Sequence, residues 1–256
     1  MKLGVKNFLN RVFRRYGYEL TKMERRENDF DYKLILKNES PVIFDIGANQ
    51  GQSIGRFKKM FETPRIYSFE PTPNLAEDMK NNYSNDPNVI VIPKAVSDYS
   101  STVKLNMYKT KEEGVGNSIH ALNPSYGEEL LGTQIVETTT VDDFCASNNI
   151  TVIDVLKIDV QGHEPECLKG AIEILKTSGI KVIELEIIFD NTYDRSLTFY
   201  DIESILQPYG YKLYAIPVIR RIGLGKYRKV GYGRLSWLDA VYMNEETFKA
   251  NTINGR

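Results

Sequence analysis

Short apolar runs alternate along the chain with stretches in which apolar residues recur every three or four positions. The runs 41–46 (PVIFDI), 65–70 (RIYSFE), 89–93 (VIVIP), 153–159 (IDVLKID) and 181–187 (KVIELEI) predict strands. Between them, Ile54, Phe57 and Phe61 share one helical face, and so do Leu75, Met79 and Tyr83. Cys167, Leu168, Ala171 and Leu175 mark a further helix opened by Pro165, and periodicity predicts another from about Thr198 to Leu206. Strands alternating with helices at these spacings mean an α/β domain, mostly parallel, with helices on both faces of the sheet.

Other patterns add to this frame. Val103–Tyr108 alternates as a strand, with Gln134–Thr140 its expected antiparallel partner. Between them lies an irregular, glycine-rich insertion (GVGNSIHALNPSYG), expected to border the acceptor site. Thr140 is placed to cap a short helix over 140–149. YKLYAIP and SWLDAVYM read as the last two strands, joined by a basic loop over 217–238. That loop carries Arg220, Arg221, Lys226, Arg228, Lys229 and Arg234, a set suited to phosphates or an acidic sugar, although a solvated surface loop accounts for it as well. Tyr227, Tyr232 and Trp237 lie nearby. Residues 2–16 read as a basic amphipathic helix that would dock on the domain or on a partner subunit, as in a homo-oligomer, or rest on an anionic membrane surface. The organisation expected is an N-terminal helical extension over 1–40 and a catalytic domain over 41–256, with no internal repeat.

The 256 residues suffice for a full core, and a net charge of -1 argues against nucleic acid as a partner. The two cysteines, Cys145 and Cys167, lack metal spacing and disulfide density, which points to a reducing, cytoplasmic setting, peripheral to the inner membrane face if residues 2–16 bind lipid. No uncharged apolar run is long enough to span a bilayer.

The densest chemistry is where the first run stops at Asp45 and turns through Gly47, Ala48, Asn49 and Gly51 into a helix. Such a turn opens a nucleotide-type fold and needs small residues, because backbone and ligand approach closely. The dinucleotide fingerprint G-x-G-x-x-G is missing, which argues against an NAD-dependent oxidoreductase, and no P-loop lysine follows. A carboxylate at this turn would repel pyrophosphate but suits the cationic end of S-adenosylmethionine. Glu70 ends the second run, about 20 residues on, where an acid holds ribose hydroxyls. The bland alternative is that Asp45 and Glu70 merely cap helices.

In order, DIGANQG, SFEP, GNS, TTVDD and LKIDVQGHE resemble the FkbM family of S-adenosylmethionine-dependent methyltransferases, over about Pro41 to Met243. The resemblance implies a Rossmann-like class I methyltransferase fold of seven strands, the last antiparallel. It implies O-methylation of a sugar, nucleotide-sugar or glycan hydroxyl, or of a polyketide. By the same resemblance Asp45, Gly47, Ala48, Asn49 and Gly51 form the methionine-side turn. Glu70, with Pro71 beside it, holds the ribose, Ala95 sits by the adenine and Asp159 faces the methyl group. Many members have glutamate where this chain has Gln161, so no charge-dependent role attaches to that position.

Methyl transfer from a sulfonium needs an aligned acceptor oxygen and somewhere for its proton to go. Of the two histidines, His120 and His163, the second follows Asp159 by four residues at a strand tip. His163 is therefore expected as base or acceptor orienter, with Asp159 positioning it or the acceptor; the alternative is a structural helix cap. A metal variant would gather Asp159, Glu184 or Glu186, and His163, with Lys157 and Lys181 as competing partners of the acids. A different class of reading is a non-catalytic binding subunit that kept the fold.

Overall fold

The computed structural model describes residues 30–109, 117–126, 128–189, 192–194, 199–222 and 234–253. The amphipathic helix expected over 2–16 lies outside them. A single turn, α1 (Lys33–Leu36), precedes β1 (Val42–Ile46) and α2 (Gln52–Met60). Then come β2 (Arg65–Phe69), α3 (Pro73–Asn82), β3 (Val89–Ile92) and the short β4 (Ala95–Val96). β5 (Thr102–Lys109) and β6 (Glu129–Thr139) follow, then α4 (Val141–Asn148) and β7 (Ile153–Ile158). α5 (Glu164–Lys169), α6 (Ile172–Lys176), β8 (Ile180–Ile188) and α7 (Phe199–Leu206) lead to β9 (Tyr211–Ile222), β10 (Arg234–Asn244) and α8 (Glu245–Ile253).

Seven strands form one sheet in the order β3-β2-β1-β7-β8-β10-β9. β1 runs parallel to β2 and β7, and β7 parallel to β8, while β10 is antiparallel to both neighbours. This is the seven-stranded, last-strand-antiparallel arrangement that the resemblance implies. The chain winds outward from β1 to β3, then returns to set β7 against the other side of β1. Connections leave in opposite directions there, so a crevice opens at the carboxyl ends of β1 and β7. A smaller sheet, β4-β6-β5, stands beside it, and β5 and β6 pair antiparallel as expected.

The central strands are apolar because both their faces are covered. Every residue of β7 is buried, and so are the last four of β1. Phe144 of α4 packs edge-on against Phe69 and Phe44, with ring centroids 4.9 and 5.6 Å away. Thr140 caps α4 by accepting a hydrogen bond from the Asp143 amide, as its position predicts.

Two elements differ from their sequence pattern. The helix read through Cys167 and Leu175 is broken into α5 and α6 at Gly170. A Cβ there would meet the Ser97 carbonyl oxygen at 2.1 Å, and the Asp142 carboxylate accepts from the Glu173 and Ile174 amides, capping a fresh helix. The basic loop is shorter than expected, because β9 continues to Ile222 and β10 begins at Arg234. Arg220, Arg221 and Arg234 therefore lie in paired strands, whereas Lys226, Arg228, Lys229, Tyr227 and Tyr232 fall outside the described residues. Pro217, which reads as a strand end, sits on the edge strand at a shift in register between the Val218–Asp239 and Ala215–Val241 pairs. Among the described residues no helix is long and apolar enough to cross a membrane.

Candidate active site

At the carboxyl end of β1 the backbone turns through Gly47 (φ +81°), Asn49 (φ +49°) and Gly51 (φ +83°) into α2. Gly47 is obligatory for a second reason. A Cβ on it would stand 1.9 Å from the carbonyl oxygen of Asp159, so the turn and the tip of β7 touch backbone to backbone. The Gly47 and Ala48 amides both donate to the Phe69 carbonyl, 3.0 Å each, which ties the turn to the tip of β2 as well.

These three tips and β4 enclose a cavity of about 250 Å³. Of the expected site residues, Gly47, Ala48, Asn49, Glu70, Pro71, Ala95, Asp159 and His163 line it. Gly51 and Asp45 do not: Gly51 turns the chain, and Asp45 is fully buried, 3.4 Å from the Lys157 ammonium. Asp45 is thus answered from inside the protein, and Glu70 and Asp159 are the acids that face the cavity. From the insertion, Asn117, Ser118 and Ile119 also contribute to the wall.

Glu70 accepts from the Asn49 amide at 2.9 Å and the Thr72 amide at 2.7 Å. Burial pushes its carboxyl above the usual range, and these amide bonds work against that shift. Each oxygen keeps a second lone pair for a ligand hydroxyl. Asp159 is more open, with 43% of its side chain exposed, and its neighbours are Lys157 at 3.5 Å and the Gln161 carboxamide, which donates at 3.0 Å. Burial draws the Lys157 ammonium down, but Asp159 and Asp45 outweigh it and hold Lys157 above its ordinary value.

Gln161, in the left-handed region at φ +56°, also donates to Glu186 at 3.3 Å and accepts from the Tyr193 hydroxyl at 2.7 Å. The neutral carboxamide separates two acids that would otherwise face each other. Burial, and then Asp159, raises the Glu186 carboxyl well above its usual range. His163 is buried with both ring nitrogens engaged: Nε2 lies 3.0 Å from Ser97 Oγ and Nδ1 3.1 Å from His120 Nε2. The acids weighed for a metal do not converge, since Glu184 takes both its bonds from Arg56 at 3.0 Å and Glu186 meets Gln161. Lys181 pairs with Asp154 at 2.7 Å and with neither of them.

A family model described as the methyltransferase FkbM domain matches residues 45–213. The chain belongs to the FkbM methyltransferase family. It is 28% identical over 149 residues to the 2-O-methyltransferase NoeI of Sinorhizobium fredii, covering 55% of this chain and 61% of that protein. It is 26% identical over 148 residues to the hexuronic acid methyltransferase AglP of Haloferax volcanii, covering 57% and 56%. The match thus spans less than two thirds of the length of either relative. Among solved structures, a precorrin-6y C5,15-methyltransferase from Geobacter metallireducens superposes with a TM-score of 0.45 at 14% identity, covering 90% of this chain and 96% of that one.

The cofactor of this FkbM protein is S-adenosylmethionine, and the cavity fits such a ligand. Its polar wall offers the Glu70 and Asp159 carboxylates, matched to hydroxyl and ammonium donors. The Asn49 side-chain oxygen is buried with no hydrogen-bond partner among the described residues, an acceptor left for a ligand. Ala95 and Val96 with Phe69 and Leu105 supply apolar surface for a purine. Ser97 and Tyr193, which touch His163 and Gln161, are residues that sequence reasoning missed, and the sequence offers Lys157 only as a competing partner of the acids. Lys157 carried a signal, since its position two residues before Asp159 puts both on one side of the strand.

Proposed function

We propose that this FkbM protein is an S-adenosylmethionine-dependent O-methyltransferase acting on a saccharide hydroxyl. The observation that carries the reading is the placement of Glu70, Ala95 and Asp159 around one cavity, each at a different strand tip. The activities named for NoeI and AglP, a 2-O-methyltransferase and a hexuronic acid methyltransferase, support a sugar acceptor. When bound, the cofactor supplies an electrophilic methyl group on a sulfonium whose departure needs no further activation.

The protein then has to hold two molecules in line and manage one proton. Glu70 accepts from ribose hydroxyls, and its two amide bonds keep its carboxylate in place. Asp159, the more accessible acid, accepts from the acceptor hydroxyl, sets its direction and takes up its proton as that oxygen is methylated. Lys157 and Gln161 restrain the Asp159 carboxylate. His163 borders the cavity, but Ser97 and His120 already occupy its nitrogens, which favours the orienting role over that of a free base.

Incubation with methyl-labelled S-adenosylmethionine and a panel of nucleotide-sugars, lipid-linked glycans and free glycans tests the proposal. Label is expected in a saccharide ether. Calorimetry showing uptake of a nicotinamide dinucleotide and none of S-adenosylhomocysteine would overturn it.

A further inference from the structure

His120, His163 and Glu166 come from two separate places: the insertion after β5, and the start of α5, where His163 is the N-cap residue and Glu166 follows three positions on. One ligand atom from each lies within 4.8 Å of both others. His163 Nδ1 is 3.1 Å from His120 Nε2 and 3.7 Å from Glu166 Oε2. A tetrahedral zinc ion with bonds of about 2.0–2.1 Å needs donor atoms about 3.3 Å apart. The observed spacing brackets that edge, and a carboxylate on a flexible stem can close the remainder.

The hydrogen bonds around the rings sharpen the case. Ser97 Oγ donates to the Asp98 carboxylate at 3.1 Å, so towards His163 Nε2, 3.0 Å away, it is an acceptor and that nitrogen carries the hydrogen. On His120 the far nitrogen, Nδ1, lies 3.5 Å from Asp194 Oδ1. The two facing nitrogens meet at 3.1 Å, close enough for one ion to take the place of the proton between them. A hydroxyl or carboxylate behind each ring is the usual outer support of metal-bound histidines. Lys169 lies 3.7 Å from the other Glu166 oxygen, Oε1.

The geometry points to a site for a divalent transition-metal ion, zinc best suited, held by His120, His163 and Glu166. Two borderline imidazoles with one carboxylate are a ligand set known for zinc, whereas magnesium takes oxygen donors alone. Three protein ligands leave a fourth position open, the pattern of a reactive rather than a closed structural zinc. His163 also lines the cofactor cavity, so the ion would stand at its border and clasp the insertion to the tip of β7. Ser118 already ties the same two segments, donating to the Gln161 carbonyl at 2.7 Å. The ion displaces whatever proton bridges the two rings, so its uptake releases a proton. The site stands on these contacts whether or not the chain transfers methyl groups.

The test uses the full, tag-free chain, stripped with a chelator and titrated with Co²⁺. One equivalent is expected to bind with the visible absorption of a four-coordinate ion, and Zn²⁺ to bleach it. His120→Asn and Glu166→Gln should each weaken Co²⁺ binding at least tenfold, with far-ultraviolet circular dichroism unchanged. Absence of a four-coordinate spectrum in the wild-type chain would overturn the site. So would an unchanged Co²⁺ affinity in both variants. S-adenosylhomocysteine binding, measured in the same samples, reports separately on the methyltransferase reading.

Discussion

Lys157 Nζ lies 3.4 Å from Asp45 Oδ1, because β7 and β1 run parallel in a register that makes the two residues neighbours. Asp45 is fully buried and, among the described residues, neither of its side-chain oxygens has a hydrogen-bond partner, so this lysine is what answers its charge. Removing one partner of a buried pair strands the other. Lys157→Met is expected to lower stability by about 3–5 kcal/mol in urea unfolding. The double variant Asp45→Asn/Lys157→Met should recover part of that loss. A double variant no more stable than the single one would show that Asp45 is balanced elsewhere. Since the Lys157 ammonium is held above its ordinary value, its stabilising effect is present below the unfolded lysine range and fades only as pH climbs past the raised value.

Glu70 ties the glycine turn to the tip of β2 through the Asn49 and Thr72 amides. A carboxamide offers only one acceptor oxygen, so Glu70→Gln turns an NH₂ group towards an N–H. S-adenosylhomocysteine affinity is expected to fall roughly 10- to 100-fold, equivalent to about 1.4–2.8 kcal/mol. Calorimetry measures it, and an unchanged affinity would remove Glu70 from the cofactor site.

Glu164 opens α5 and accepts from the Val160 and Gly162 amides at 3.1 and 3.0 Å, with its carboxyl out of solvent. Burial pushes its pKa from 4.5 up to about 7, against the pull of those amides. Below 4.5 both the folded and the unfolded chain keep the proton. Between 4.5 and 7 the unfolded chain releases it first, so the folded state binds more protons and stability falls as pH rises. Above 7 this contribution is level. The decline due to this group is on the order of 3 kcal/mol. Urea midpoints across this range should show that slope in the wild type and its loss in Glu164→Gln. Parallel curves for the two proteins would refute the assignment.

The strand tips were legible because an apolar run that stops at an acid leaves little choice of where that acid sits. Glu70 and Asp159 line the cavity, while Asp45, placed by the same rule, is buried beside Lys157. The rule places a residue at a tip, but the side on which it points depends on its partner in the next strand. Gly170 breaks a helix that periodicity alone would continue, since the obstacle is the Ser97 backbone, more than seventy positions away. Tyr193 stands in a segment without periodicity, and only the fold brings its hydroxyl to Gln161.

Local rules of spacing, turn chemistry and order along the chain determined the class of fold, the glycine turn and the family, because each depends on residues close in sequence. Tertiary structure alone decided which charges cancel and which stay open to a ligand. His120 and His163 illustrate the difference, 43 positions apart in the chain and 3.1 Å apart in space. Electrostatics and coordination act across ångströms, and distance along the chain carries almost no information about that until the sheet is assembled.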